Sequence, residues 1–294
     1  MLPQAPRNVP LRVPLNVPLC VAPGAAGRAA AALPLRAMAI AAALGLAALC
    51  APPAGAESGE IAQRRAEQRT AFTDAEITFG FFRIAFGAEL NLAGRIDRIR
   101  KFHGPVRVYG DNRAKPDRRR QLAAIVADIR SRVAHLDIAI TANREAANVV
   151  VRLVRNRDIR RTIREYFGRD QADRIQSSLD PQCLSGFRKD DAFRIENANV
   201  ILPADAGEFV FYDCAYEELL QALGPINDDS SVPWTMFNDN VQLGFFGIYD
   251  QFLLNILYHP RIRAGMTAAE VRAVLPAVLP AVRAFVAKRN GLPP

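Results

Sequence analysis

VRVYG, at residues 106–110, opens the stretch of sequence that decides the fold. Its apolar and polar residues alternate and end in glycine, which predicts a strand and a turn. Apolar residues then recur at spacings of three and four, which predicts an amphipathic helix over residues 117–135. β-Branched runs at 137–141 and 148–154 predict two further strands.

The stretch continues with a polar helical region over 158–179 and an apolar strand over 198–203. The predicted order is therefore strand, helix, strand, strand, helix, strand. Alternation of this kind is typical of α/β proteins. We expect an α/β (α+β) fold, a single domain with a mixed β-sheet.

The C-terminal part is predicted to be helical. Asp213 is a candidate N-cap for a helix through Leu223, which Gly224-Pro225 would end. A second apolar helix is expected over 247–257. Thr267-Ala-Ala-Glu270 is a capping box for a last helix, punctuated by two prolines.

The chain divides by composition into four parts. Residues 1–56 form an N-terminal extension and signal peptide, and residues 57–94 a polar leader followed by an aromatic-rich segment. Within that segment, the phenylalanines of residues 75–90 alternate nearly as in a strand. The main domain is expected over 95–260, and a C-terminal helical segment over 261–294.

The first 56 residues have the composition of a secretory signal. They contain four Arg and no Asp or Glu, and an apolar run at 37–49 precedes Ala54-Gly55-Ala56. We expect cleavage near Ala56 and an exported protein, periplasmic or secreted. The apolar run is shorter than the roughly 20 residues that cross a bilayer, so no transmembrane span is expected in the mature chain. Leu49 before Cys50 argues against a lipoprotein signal.

Two cysteines remain after the predicted cleavage, Cys183 and Cys214. Disulfides form in oxidising compartments outside the cytoplasm, and no third thiol competes. We therefore expect one disulfide between them. The alternative is a pair of buried free thiols.

Acidic residues outnumber basic ones in the second half of the mature chain, the reverse of the first half. Between Arg194 and Arg261 the sequence has no Lys or Arg, whereas ten Asp or Glu fall there. That stretch suits a cation or a basic partner. The arginines between Arg152 and Arg164 lack interleaved aromatic residues, so nucleic acid is not an expected partner. An alternative role is a structural factor that the basic first half holds on anionic envelope surfaces.

Residues 217–227, EELLQALGPIN, carry the candidate site. They have the spacing of the zinc-binding helix H-E-x-x-H-x-x-G-x-x-H, with its histidines missing. Glu217, Gln221 and Asn227 stand at the three ligand positions, and Glu218 at the general-base position. Glu217 and Gln221 are four residues apart and share a helix face.

The segment resembles the active-site helix of the metzincin metallopeptidases. Gly224 stands at the turn of that motif, and Trp234-Thr235-Met236 lies where the methionine turn of the family would be. The resemblance covers about residues 95–260. It implies a metzincin-like α/β domain with a degenerate zincin site.

A closer resemblance is to a family of exported bacterial proteins, domain of unknown function 2927. It rests on CAYEELLQALGPIND at 214–228, Phe237-Asn238-Asp239, LYHP at 257–260 and Gly265-Met266. The resemblance implies no reaction. It implies that Glu, Gln and Asn in the ligand frame are the family's own pattern.

The donor types in the frame argue against zinc catalysis. Zinc sites use mostly imidazole and thiolate, and the amide oxygens of Gln221 and Asn227 are poor substitutes. Without a metal, Glu218 has no polarised water to deprotonate. No cofactor is therefore expected, with zinc or calcium as alternatives. The oxygen-rich set suited to calcium comprises Glu217, Glu218, Asn227, Asp228, Asp229, Asn238 and Asp239.

These observations favour a non-catalytic exported module, a pseudo-peptidase that binds a polypeptide or an envelope component between the sheet and the helix at 213–223. The alternative is an active metal-dependent hydrolase with Glu218 as general base.

A purely structural interpretation is also open. In it, Glu217 and Glu218 are carboxylates at a helix start, and Gln221 and Asn227 form a hydrogen-bonded pair. The three histidines, His103, His135 and His259, lie outside the frame and would need distant segments to converge.

Overall fold

The computed structural model describes residues 58–87, 97–178, 182–225 and 227–293. These residues belong to one compact unit. The predicted signal peptide and its cleavage site lie outside the described residues. Within the four ranges, no helix combines the length and the apolar character that a membrane crossing requires.

A mixed six-stranded sheet forms the centre, as predicted. Five strands are parallel, in the order β1-β6-β4-β2-β3, and β5 pairs antiparallel with β6. The strands are β1 (Lys101–Phe102), β2 (Val106–Asn112), β3 (Ile138–Ile140), β4 (Val149–Val154), β5 (Leu184–Lys189) and β6 (Arg194–Pro203). The four predicted strands correspond to β2, β3, β4 and β6.

Eight α-helices are present in the described part of the chain. They are α1 (Gly59–Glu67), α2 (Asp74–Ala85), α3 (Arg119–Arg132), α4 (Ile159–Phe167), α5 (Arg169–Ser178), α6 (Glu208–Ala222), α7 (Ile248–Tyr258) and α8 (Ala268–Asn290). The predicted polar helix over 158–179 is divided into α4 and α5 at Gly168, which has a φ of 79°. The predicted capping box of Thr267 and Glu270 begins α8, which confirms the helical C-terminus.

The two faces of the sheet are covered by different helices. Val200 and Leu202 of β6 belong to the larger core, which also contains the buried faces of α3, α6 and α7. Ile201, between them, belongs to a smaller core with Ile163 of α4 and Ile175 of α5. Successive residues of a strand point to opposite faces, so β6 supplies both cores.

The described part of the aromatic segment before the sheet is a helix, so the strand-like alternation predicted for residues 75–90 is wrong through residue 85. Helix α2 begins with a capping box in which Thr73 and Glu76 each accept from the other's backbone N–H. Its buried residues recur at helical spacing: Ile77, Phe81 and Ile84. Packing of this face and the cap override the strand propensity of phenylalanine.

Candidate functional site

Helix α6 is tied to strand β5 at two points. Cys214 of α6 forms a disulfide with Cys183, the residue before β5, which confirms the predicted pair. The Ser185 hydroxyl of β5 donates a hydrogen bond to Gln221 Oε1 at 3.3 Å. One edge of β5 pairs with β6, and no strand among the described residues pairs with the other. β5 is therefore an edge strand fixed against α6.

Helix α6 begins at Glu208 rather than at the predicted Asp213. The Asp213 carboxylate instead accepts hydrogen bonds from the backbone N–H groups of residues 243–244, at 2.8 and 2.9 Å. Glu217 and Glu218 consequently lie in the third turn of the helix. Since the helix dipole acts on charges within the first turn, the interpretation of these two residues as helix-start carboxylates is wrong.

Three carboxylates converge beside α6, and we call Glu217, Asp228 and Asp239 the acidic cluster. Their oxygens lie within 4.8 Å of one another. Burial, followed by repulsion from Glu218 and Asp228, raises the pKa of Glu217 to about 10. The protonated form of Glu217 is favoured because its carboxylate form would be both desolvated and next to like charges.

Both the nitrogen and the oxygen of the Gln221 amide form hydrogen bonds with other protein groups. Its Nε2 donates to the two carboxylate oxygens of Asp228, at 3.0 and 3.2 Å. Its Oε1 accepts from Ser185, and the residue is 6 % exposed. Gln221 is thus a structural link between the acidic cluster and β5.

Asn227 points away from Gln221. Its Nδ2 donates to the backbone carbonyl of Arg83 in α2 at 2.8 Å, and its amide occupies the space that a side chain on Gly87 would need. The predicted Gln221–Asn227 pair is therefore wrong, because each amide has a different partner.

The three ligand-frame positions do not converge on one point. Glu217 belongs to the acidic cluster and the Gln221 amide donates to its Asp228, while Asn227 is held by the carbonyl of Arg83. The donors available do not fit zinc, which prefers imidazole and thiolate. Three carboxylates are instead the donor type that suits a hard cation such as calcium.

The family of this chain is identified by a family model that matches most of the described domain. Residues 74–277 match the model of DUF2927, described as a protein of unknown function. The chain belongs to this family. Comparisons with curated proteins and with solved structures found no match.

The burial and the backbone conformation of two further frame residues, Glu218 and Gly224, define their roles in this DUF2927 domain. Glu218 is 5 % exposed, whereas a general base must reach its substrate directly or through one water. Gly224, after α6, has a φ of 138°, and a Cβ there would overlap the backbone carbonyl of Arg100. The turn predicted at Gly224 therefore requires glycine on both conformational and steric grounds.

Two members of the predicted oxygen-rich set stabilise loops in the DUF2927 domain. Asp229 accepts from the Arg83 guanidinium at 2.6 Å. The Asn238 amide donates to the carbonyl of Val232 at 3.0 Å, and its oxygen accepts from the backbone of Asn240. Neither residue is part of the acidic cluster.

Asp250, in the first turn of α7, is a buried residue that the sequence did not single out. Its carboxylate accepts from the Thr235 hydroxyl at 2.5 Å and from the backbone N–H of Met236 at 3.2 Å. Burial raises the pKa of Asp250 to about 7. This link holds the loop at 234–236, proposed as the methionine-turn position, against α7.

The histidines converge in part, at a place separate from the acidic cluster. The rings of His135 and His259 lie 6.0 Å apart, nearly perpendicular. Burial and the neighbouring His135 lower the pKa of His259. His103 and His135 both line a cavity at the start of β3 and β6.

Proposed function

We propose that the chain is an exported, non-catalytic binding protein, and that its domain is a degenerate metallopeptidase-like module that binds an extended polypeptide. The observation that carries the proposal is the set of partners that the three ligand-frame residues have in the structure. Gln221 and Asn227 serve as internal structural links, while Glu217 joins two aspartates beside an edge strand.

The edge strand supports a polypeptide as the ligand. Extended peptides add to exposed sheet edges through main-chain hydrogen bonds, and pockets for alternate side chains supply the specificity. Strand β5 has one edge without a strand partner in the described chain. Its link through Ser185 to Gln221, and through Gln221 to Asp228, connects this edge with the acidic cluster.

The acidic cluster supports a basic side chain at one position of that polypeptide. Three carboxylate oxygens within 4.8 Å repel one another when all are ionised, and either a proton on Glu217 or a positive group between them relieves that repulsion. A lysine or arginine side chain would provide this charge and donate hydrogen bonds to several oxygens. The absence of Lys and Arg between Arg194 and Arg261 leaves the surrounding sequence acidic.

Export is supported by the N-terminal composition and by the Cys183–Cys214 disulfide. Structural disulfides are typical of proteins outside the cytoplasm. The proposed compartment is the periplasm or the cell exterior after cleavage near Ala56.

Peptide binding to residues 57–294 tests the proposal. Two labelled extended peptides that differ only at a central lysine or glutamate are compared by fluorescence anisotropy. We expect the lysine peptide to bind, and Glu217→Gln to weaken that binding by about tenfold, because a charge-assisted hydrogen bond is lost. Glu208→Gln, at an exposed position of the same helix, is the matched control. Equal affinity for both peptides, or equal loss in both variants, would contradict the proposal.

The second candidate is a metal-dependent hydrolase with Glu218 as general base. The acidic cluster favours it, because three carboxylates suit a hard divalent cation. Elemental mass spectrometry of the purified domain should then find near-stoichiometric metal that Glu217→Ala loses. Hydrolysis that Glu218→Gln abolishes would establish this candidate, whereas a Glu218→Gln protein that retains peptide binding favours the module.

A further inference from the structure

A basic cavity of about 480 Å³ lies outside the acidic cluster. Four chain segments enclose it: residues 101–104 at the end of β1, residues 135–137 before β3, the start of β6, and residues 258–264 after α7. Its volume falls in the range of about 300–1,000 Å³ that is typical of small-molecule sites.

The charged side chains of the wall are mostly cationic. They are Lys101, Arg194, Arg263 and Asp137, and two imidazoles, His103 and His135, stand beside them. Asp137 is bound by both guanidinium nitrogens of Arg107, and Arg194 is paired with Asp190 at 2.6 Å. Lys101 forms no salt bridge in the described chain, whereas the hydrogen bonds from Thr267 and the positive charge of Arg263 lower the pKa of Glu270. The wall therefore carries more cationic side chains than carboxylates.

Lys101 is held at the wall by backbone groups. Its Nζ donates to the carbonyls of Leu257 and Ile262 at 2.7 and 2.8 Å. An ammonium group has three donors, so one N–H remains for a ligand. Since burial lowers the pKa of Lys101 to about 8, an anion in the cavity would also stabilise its charged form.

His135 occupies a backbone position that favours glycine. Its φ is 62°, in the left-handed region, where residues other than glycine are uncommon. A histidine kept in such a conformation at a cavity wall points to use of its ring. Its neighbours Leu136 and Ile262 are buried apolar members of the same wall.

We propose that the basic cavity binds a small phosphomonoester. Guanidinium, ammonium and imidazole donors match the several oxygens of a phosphate dianion. The space beyond one phosphate group, next to Leu136 and Ile262, takes the apolar part of the molecule. This site is independent of polypeptide binding at the acidic cluster.

Proton NMR tests the site, because the chain has three histidines and therefore three imidazole signals per ring position. Phenyl phosphate is titrated into residues 57–294 at constant ionic strength. The signals of His103 and His135 should move along one saturable curve. Sodium acetate and sodium chloride are the comparison anions. Non-saturable shifts, or shifts as large with either comparison anion, would overturn the proposal.

Matched variants locate the binding. Arg263→Gln should weaken phenyl phosphate binding by about tenfold, whereas Arg261→Gln, two residues away and outside the wall, should change it by less than about twofold. His135→Gly should also weaken binding while the domain stays folded, because glycine suits a φ of 62°. Equal losses in the two arginine variants, or full binding by His135→Gly, would refute the assignment.

Discussion

Glu217→Gln is expected to stabilise the domain at neutral pH. Glu217 is partly buried beside Asp228 and Asp239, and its pKa is raised to about 10 from 4.5. Folding therefore takes up a proton between these two pH values. The contribution of the protonated Glu217 side chain to the free energy of unfolding is fully present below pH 4.5 and is lost as the pH rises through 10. Glutamine is a neutral substitute of similar shape that needs no proton.

The magnitude follows from the distance between the unfolded pKa and the working pH. Each pH unit above 4.5 lowers this contribution by about 1.36 kcal/mol. At pH 7 the free energy of unfolding of wild type is therefore about 3 kcal/mol lower, from this group, than below pH 4.5. Glu217→Gln should raise the free energy of unfolding by about that amount at pH 7 and should change it little at pH 4. For a domain of this size, the melting temperature at pH 7 should rise by roughly 6–12 °C.

Urea unfolding in the presence of a chelator measures this difference. Trp234, the only tryptophan in the sequence, contacts Phe72 and Tyr249 and reports unfolding by its fluorescence. Glu208→Gln removes a carboxylate from the first turn of the same helix and should lower the free energy of unfolding by up to about 1 kcal/mol, the opposite direction. A Glu217→Gln protein that is no more stable at pH 7 than wild type would refute the reasoning, since Glu217 would then be ionised in the folded state. Calcium that stabilises wild type but not Glu217→Gln would favour the cation candidate.

Three other changes test the packing around the site. Replacing Cys183 and its disulfide partner with serine should lower the free energy of unfolding by about 3.5 kcal/mol, the value for a loop of this length, and dithiothreitol should have the same effect on wild type. Gly80→Ala should destabilise by about 1–3 kcal/mol in urea unfolding, because the added Cβ overlaps the hydroxyl of Tyr249. Gly59→Ala, where the Cβ meets nothing within 4 Å, is its control and should cause no loss. Gly224→Ala should lower the melting temperature more than Gly80→Ala, since it combines a positive φ with a clash against backbone.

Four strands could be predicted from sequence because each carries an apolar pattern, alternating in β2 and nearly continuous in β4. β4, for example, consists mostly of β-branched residues, as is typical of parallel strands between helix layers. β5 could not be predicted in the same way. Its sequence, LSGFRK, has no apolar alternation, and it is held by backbone pairing at one edge and by the Cys183–Cys214 disulfide. The cysteines themselves could be paired from composition alone.

The candidate site was predicted only in outline. Glu217 was singled out by its spacing, and the structure brings it to two other carboxylates. The partners of Gln221 and Asn227 depend on the path of the chain after Gly224 and on the position of α2, neither of which is encoded in a local pattern. Asp213 shows the same limit, because an aspartate before an apolar run has the pattern of an N-cap whether it begins a helix or binds a distant loop.

The proton that Glu217 carries at neutral pH would make ligand binding at the acidic cluster an exchange reaction. A basic group or a metal ion that enters the acidic cluster must displace the proton on Glu217, so each binding event at pH 7 should release close to one proton into the buffer. Calorimetry in two buffers of different ionisation enthalpy would count it. Below pH 10, the apparent affinity should rise by about tenfold per pH unit. The same ligand would then be held in a neutral compartment and released in an acidic one.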